Sequence, residues 1–343
     1  MKILIKYLSI LTIILLGTVS VYAGGGVRTG TAGASELLIP VGPQGIAMGG
    51  ANVATATGIE ALFWNPAGVA FMDNSVSATF SHMNYIADIG VNYGAVGVNF
   101  EGFGVLSLNI KSLAVGDIAV TTNEFPDGTG QTFTPQFNVL GLSYSRQLTD
   151  RIAIGVTANY LTETLDQVSA SGFSFNAGVV YNDLGNIPGL NFGIAMNNIG
   201  PHMKFDGSGL LTVATPQGYE RAPGYMSFNA AYFELPANFT IGFGYKPVID
   251  EMNSVQISTV FQNNNFSGDE YKVGAEYSYN NLLFLRGGYD MSPKSQSEEY
   301  IYGFTAGAGI NYNLGGLDLK FDYAYRNVKY FDANHIFAVT LGF

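Results

Sequence analysis

Three histidines, His82, His202 and His335, are the side chains of this 343-residue sequence whose ordinary titration falls near neutral pH. A hydrolase would set one of them beside a Ser or Cys nucleophile and orient it with a third group. No Ser-containing elbow motif accompanies any of the three, and the chain has no cysteine. That composition excludes disulfides, thiolate nucleophiles and Cys-held zinc or iron–sulfur clusters. The histidine spacing offers no zinc pattern either. Asp127-Gly128 and Asp206-Gly207 read as turns, since a calcium loop would need further oxygen ligands. The expectation is a non-enzymatic chain without metal or cofactor, with His202 in a loop and His82 and His335 in strands near the outside edge.

The charged side chains are few and oddly placed. Only 12% of residues are charged against 47% hydrophobic, about half the charge of an ordinary soluble domain. The net charge of −11 argues against a nucleic-acid partner, which would want a basic face. Toward the C-terminus, Lys272, Glu276, Arg286, Asp290, Lys320, Asp322 and Arg326 alternate with apolar neighbours. On a lipid-facing surface each would cost several kcal/mol, so they belong on an inward face. There they could form a selectivity or carboxylate-binding site, or a network of ion pairs between wall and contents.

The elements that would carry these residues are strands. Ile152, Ile154, Val156, Ala158 and Tyr160 alternate with Ala153, Gly155, Thr157 and Asn159, and Leu317 through Tyr325 alternate with Asp318 through Arg326. From Tyr300 to Tyr312 the even positions are aromatic or aliphatic, the odd ones mostly Gly, Thr and Asn. Alternation over nine to thirteen residues exceeds the usual globular strand. It suits a transmembrane barrel, apolar outside and polar within, ringed by aromatics such as Tyr160, Tyr300 and Tyr312. Fifteen strand-like segments can be counted from residue 75 onward. Bacterial barrels have even numbers, and their short turns alternate with longer outside loops. Dropping residues 225–233 puts the tight turns Glu101-Gly102, Thr149-Asp150, Asn280-Asn281 and Gly315-Gly316 on one side. The reading is an all-β antiparallel barrel of fourteen strands over residues 75–343. A 199–237 outside loop then contains 225–233 as a hairpin arm or inward fold. In the last strand, Phe337, Val339, Leu341 and the final residue Phe343 share one face, a pattern that resembles the assembly signal of outer-membrane barrels.

Residues 1–23 read as an export signal: Lys2 and Lys6, an apolar run from Leu8 to Leu16, then Val21-Tyr22-Ala23. The following residues, 24–74, lack period-two alternation but carry Leu37, Leu38, Ile39, Ile59, Leu62, Phe63, Trp64 and Phe71 to bury. A plug or hatch inside the barrel is the expected place for them. Gly242, Gly244, Gly307 and Gly309, on inward strand faces, would leave room for it.

Within this stretch the run ELLIPVGPQGIAMGGANVATATGIEALFWNPAG resembles the N-terminal signature of the PorV/PorQ family, barrels related to FadL-type fatty-acid transporters. Met48, Gly49 and Gly50 of the first motif and Trp64, Asn65, Pro66 and Gly68 of the second carry the match. The resemblance implies fourteen strands with an N-terminal plug, residence in the outer membrane, and a role in type IX secretion or cell-surface attachment. Outer-membrane lipid and secretion-apparatus or cargo proteins would be its partners. The alternative is a FadL-like transporter of a hydrophobic ligand, with Trp64, Asn65 and Pro66 near the hinge of a movable hatch. A continuous apolar pocket between the 113–136 and 199–237 loops and the hatch would mark the transporter. Long outside loops without such a pocket would mark the interaction protein.

Overall fold

The computed structural model describes residues 32–215, 222–292 and 300–343; the expected export signal lies outside them. Fourteen antiparallel strands form a closed barrel. They are β1 (Val76–Asn84), β2 (Gly90–Phe100), β3 (Gly104–Ala114), β4 (Gln136–Gln147), β5 (Ile152–Leu165), β6 (Val168–Tyr181) and β7 (Leu190–Ile199). The second half comprises β8 (Asn238–Tyr245), β9 (Asn253–Asn264), β10 (Glu270–Tyr279), β11 (Leu283–Met291), β12 (Tyr302–Asn313), β13 (Asp318–Val328) and β14 (Asn334–Gly342). Each pairs with its sequence neighbours, and β14 returns to β1, so no edge is left open. Beyond the paired strands, Phe343 and Val76 exchange both backbone hydrogen bonds, at 2.8 and 3.1 Å. The last residue therefore helps seal the seam.

The alternation sorts side chains as a bilayer requires. Val156, Leu285, Phe304, Ile310, Phe321 and Phe337 are exposed on the outer face, where lipid and not water is their surrounding. Thr157, Asn159, Ser258, Thr305, Asp322 and Arg326 are buried on the inner one. At one end the connections are tight. Asn280 and Asn281 both hold positive φ (52° and 49°), and the Leu282 amide bonds the Tyr279 carbonyl at 3.0 Å. That is the primed turn whose twist matches the strands it joins. The other end carries the long 115–135 and 200–237 connections, which by barrel convention face outward from the cell.

Three details differ from or refine the pattern read in the sequence. The expected 165–170 outside loop is a two-residue turn at Asp166 and Gln167, because β5 and β6 stay paired up to Leu165 and Val168. Within the 200–237 loop, Gly224–Ser227 pairs with Leu211–Ala214 as a hairpin arm. Phe233 meanwhile folds inward to exchange backbone hydrogen bonds with Met203 (3.0 and 2.8 Å). Finally, Tyr300 does not belong to an outer aromatic ring, and neither does Tyr302. The β12–β13 register shifts between Tyr302 and Thr305, and a bulge of this kind flips every residue on its far side. Phe304 accordingly faces out, whereas Tyr300 and Tyr302 line the interior.

Candidate functional site

Residues 32–74 run along the inner faces of the barrel strands. Their short elements are 3-10 turns at Ser35–Leu38, Gly58–Leu62 and Pro66–Phe71, and a helical turn, α1, at Pro43–Ala47. α1 stops where Gly49 and Gly50 take successive left-handed conformations (φ 65° and 76°), open to glycine at little cost. This bend presses the Met48–Gly49 backbone against Gly274 of β10 and Gly288 of β11 so closely that a Cβ on either would overlap it. The same holds around the wall: Gly155 faces Pro66 and Ala67, Gly178 faces Asn65, Gly193 faces Val53 and Ala54, and Gly307 faces Ala47. Gly242 and Gly244 lie against Val53 and Thr55. Glycines on the inner wall thus trace the path of the segment.

Asn65 is its best-anchored residue. Fully buried, it caps the Pro66–Phe71 turn through Oδ1, which accepts from the Ala67 amide at 3.1 Å. Its Nδ2 donates to the Val53 carbonyl (2.8 Å) and reaches those of Val179 on β6 (3.2 Å) and Ile194 on β7 (3.4 Å). Pro66 follows at the first position of the turn, where the missing N–H costs nothing. A side chain on Gly68 would strike the Ala56 carbonyl. Ser145 and Thr305 add wall-to-segment bonds to the carbonyls of Pro66 (2.7 Å) and Ala47 (2.9 Å).

The inward charges fall into two groups. Arg286 bonds Glu276 through Nε and Asp322 through Nη1, all three buried. Glu60 of the segment lies close to this triad and to Lys320, and accepts from Thr340 at 3.3 Å. Burial, and then the Asp322 charge, push the Glu60 carboxyl above its ordinary range. Higher in the barrel, Lys272 pairs with Glu270 (2.7 Å) and Asp290 (3.9 Å). Arg326 stacks on Tyr302, its guanidinium carbon 3.8 Å from the ring centre. Replacing Arg286 with Gln would leave two buried carboxylates unpaired, and such breaks cost about 3–5 kcal/mol. The folded-to-unfolded mobility shift of the barrel on heating should therefore occur at a clearly lower temperature in Arg286→Gln.

A third charge cluster joins residues that no local pattern of the sequence links. Glu36 of the segment lies against Glu163 of β5, with Lys111 of β3 nearby. Lys111 Nζ donates to the Ile39 carbonyl at 3.1 Å and sits 5.0 Å from the centre of the Phe63 ring. Desolvation, and then the Glu163 charge, raise the Glu36 pKa to about 7, against a partial offset from Lys111. A raised carboxyl pKa means the folded state holds a proton that the unfolded one releases. Stability is then greatest below about pH 4.5 and falls as pH rises to about 7, on the order of 3 kcal/mol across that window. A Glu36→Gln variant keeps the neutral form at every pH. Its thermal stability should match the wild type near pH 4.5 and exceed it at pH 8, and parallel heat-shift series read this directly.

Between the segment and the upper wall lies a cavity of about 340 Å³. Its segment side is Leu37, Leu38, Ile39, Pro40, Phe63 and Trp64, with Gly49 and Gly50 behind. Its wall side is polar in two arcs. One consists of carboxamides: Asn109 on β3, Asn159 on β5, Asn176 on β6, Asn197 on β7, Asn238 on β8 and Asn264 on β9. The other is charged, with Glu270, Lys272, Asp290 and Arg326 on β10, β11 and β13. Of the sequence-predicted residues, Gly49, Gly50, Trp64, Lys272, Asp290 and Arg326 line this cavity. Met48, Asn65, Pro66, Gly68, Glu276, Arg286, Lys320 and Asp322 do not. Phe337, Val339, Leu341 and Phe343 lie along the β14 face turned from the lumen, with Phe337 and Phe343 more than half exposed.

The histidines are scattered. His82 bonds Asn92 and Asn84 (2.8 and 3.1 Å), His335 bonds the Tyr323 hydroxyl (2.8 Å), and His202 lies 3.8 Å from Glu234. Among the described residues no three or more His, Asp or Glu side chains group as a metal site.

A closed fourteen-strand antiparallel barrel with an apolar exterior and a polar interior is an outer-membrane protein. Three solved structures share the fold. The Ralstonia pickettii toluene transporter TbuX has a TM-score of 0.54 at 15% identity, covering 88% of this chain and 98% of its own. The Pseudomonas putida toluene transporter TodX gives 0.54 at 13% identity, with 87% and 96% covered. A Pseudomonas aeruginosa FadL homologue gives 0.50 at 13%, with 88% and 98% covered. No curated protein sequence matches the chain. The family described as type IX secretion system protein PorV matches residues 25–217, more than half of the sequence. The chain belongs to that family.

Proposed function

We propose that this protein is a non-enzymatic component of type IX secretion or surface attachment, which contacts cargo or partner proteins through its outward-facing mouth. The observation that carries the reading is the hairpin arm of the 200–237 loop. Tyr225, Phe228 and Val213 are 82%, 66% and 61% exposed on or beside it, away from the lipid-facing wall. Apolar side chains gathered on a polar-loop surface mark an interaction site. Residues 1–23 act as the export signal, and 24–74 act as the plug, with residues 32–74 making the wall contacts described above. Phe337, Val339, Leu341 and Phe343 serve as the outward face that assembly machinery reads.

The second reading, passage of a hydrophobic molecule, draws on the barrel fold shared with toluene transporters. Against it stands the character of the interior. Carboxamides and charges stand on the barrel side of the cavity and most of its apolar side chains on the segment side, and no described residue of the 115–135 or 200–237 connections lines it. Gentle detergent purification of the tagged protein, followed by identification of bound proteins and lipids, separates the two. Recovery of secretion components, or of secreted proteins sharing a C-terminal domain, supports the first. Stoichiometric fatty acid or another apolar molecule with no protein partner overturns it in favour of the second.

A further inference from the structure

We propose that the upper lumen is a binding site for a neutral, polyhydroxylated ring of about monosaccharide size. The inference is independent of the secretion role. Its first support is the carboxamide arc, which brings amides from six strands to one surface although they are spread across more than 150 residues of sequence. Carboxamides offer a donor and an acceptor at fixed spacing, a match for adjacent hydroxyls.

The second support is a set of polar side chains on this cavity, each holding one buried atom, closed off from open space, that has no hydrogen-bond partner among the described residues. Asn109 Oδ1 and Asn197 Oδ1 are acceptors, Arg326 Nη2 is a donor, and the Tyr93 hydroxyl can act as either. Tyr93 is only 5% exposed and Arg326 only 7%. Leaving such groups unmet is costly, about 1–3 kcal/mol each. Turned toward the cavity by a bound guest, either kind can be satisfied by a ligand hydroxyl, which both donates and accepts. A hydrocarbon or an acyl chain can satisfy neither.

The third support is the opposite face. Phe63 and Trp64 meet edge to face, with ring centres 5.1 Å apart, at the cavity boundary. An aromatic surface facing polar groups accommodates a ring with an apolar face and a polar rim. Lys272 is matched by Glu270 and Asp290, Arg326 lies over the Tyr302 ring and Lys111 donates to the Ile39 carbonyl, so each lining cation already has a partner and the guest is neutral. The volume sits at the lower end of small-molecule sites.

Trp64 is the sole tryptophan of the chain, so its emission reports occupancy without labelling. The barrel, reconstituted in lipid nanodiscs, is titrated with glucose and N-acetylglucosamine and, separately, with dodecanoate and toluene. At least one sugar should change Trp64 emission saturably, and the apolar probes should not. Tyr93→Phe, which removes one hydroxyl and keeps the ring, should weaken that sugar about three- to tenfold. A double Asn159→Leu, Asn176→Leu variant should abolish the response. Heat-dependent mobility verifies that each variant is folded, and Tyr93→Phe carries the test if the double variant fails to fold. Saturation by dodecanoate or toluene without a sugar response overturns the proposal. So does the absence of a saturable response to any probe, or a sugar response that Tyr93→Phe leaves unchanged.

Discussion

A chain with Val213, Tyr225 and Phe228 all replaced by Ser is expected to reach the outer membrane folded and yet recover partner proteins at least about tenfold less well. The three residues lie on or beside the two-strand arm of Leu211–Ala214 and Gly224–Ser227, which makes no part of the closed barrel sheet. Removing their apolar side chains therefore subtracts nothing from the wall. The arm's four paired positions, Leu211 with Ser227 through Ala214 with Gly224, are held by backbone contacts that serine preserves. What disappears is apolar surface presented to the outside. Aromatic anchors in an interface account for more than about 1 kcal/mol each when truncated, so loss of Tyr225 and Phe228 together amounts to at least about a tenfold change in affinity. Co-purification of the variant beside the wild type, matched for folded barrel, measures it. Undiminished recovery would place the partner surface elsewhere on the mouth and remove the observation on which the proposed role stands.

The barrel was legible because its two governing rules act locally. Period two is a property of consecutive residues, and the tight turns at Glu101-Gly102 and Asn280-Asn281 are written in adjacent ones. Parity of connection lengths then excluded 225–233 from the wall. In the structure only Gly224–Ser227 of that region is a strand, and it pairs within its own loop. The turn at Asp166 and Gln167 was less visible, since the β5–β6 hairpin simply extends above its neighbours.

The interior was less legible, for a physical reason. Alternation says which face a residue takes but not at what height, and a site needs both. Asn109, Asn159, Asn176 and Asn197 look like ordinary inward polar residues until the stagger of the strands brings them level around one cavity. A single bulge turns Tyr300 and Tyr302 inward, and no feature of the residues between Tyr302 and Thr305 announces it. The Glu36–Glu163 contact joins residues more than 120 positions apart, so nothing in the local sequence marks it. By contrast, the motifs at 47–51 and 64–68 did signal a special backbone. Gly49 and Gly50 make a left-handed bend and Asn65 caps a turn, both features that residue type alone can suggest.

Replacing Gly155 and Gly178 together by Val is expected to leave the barrel folded while unseating residues 32–74 and raising the conductance of the lumen about tenfold or more. Both glycines sit mid-strand, with backbone conformations that valine favours, and valine is a better strand former than glycine. The wall itself therefore has no objection to the change. The segment does: a Cβ on Gly155 would overlap the Pro66 carbonyl group and the Ala67 amide, and one on Gly178 would overlap Asn65 Oδ1. These obstacles are backbone and a fully buried side chain held by four hydrogen bonds, so a rotamer change cannot relieve them. Either Asn65 withdraws, which leaves its amide and the Val53 carbonyl unmet at about 1–3 kcal/mol apiece, or the whole Pro66–Phe71 turn leaves the wall. The turn also carries Ala67, Val69 and Ala70, buried at 8% exposure or less, so its departure opens a path beside β5 and β6. Planar-bilayer recordings on folded protein make the comparison, and a Gly94→Val variant is the control, because a Cβ there has only ordinary contacts at 3.8 and 3.9 Å. Conductance of the double variant equal to that of Gly94→Val would mean that the segment adapts without leaving the wall.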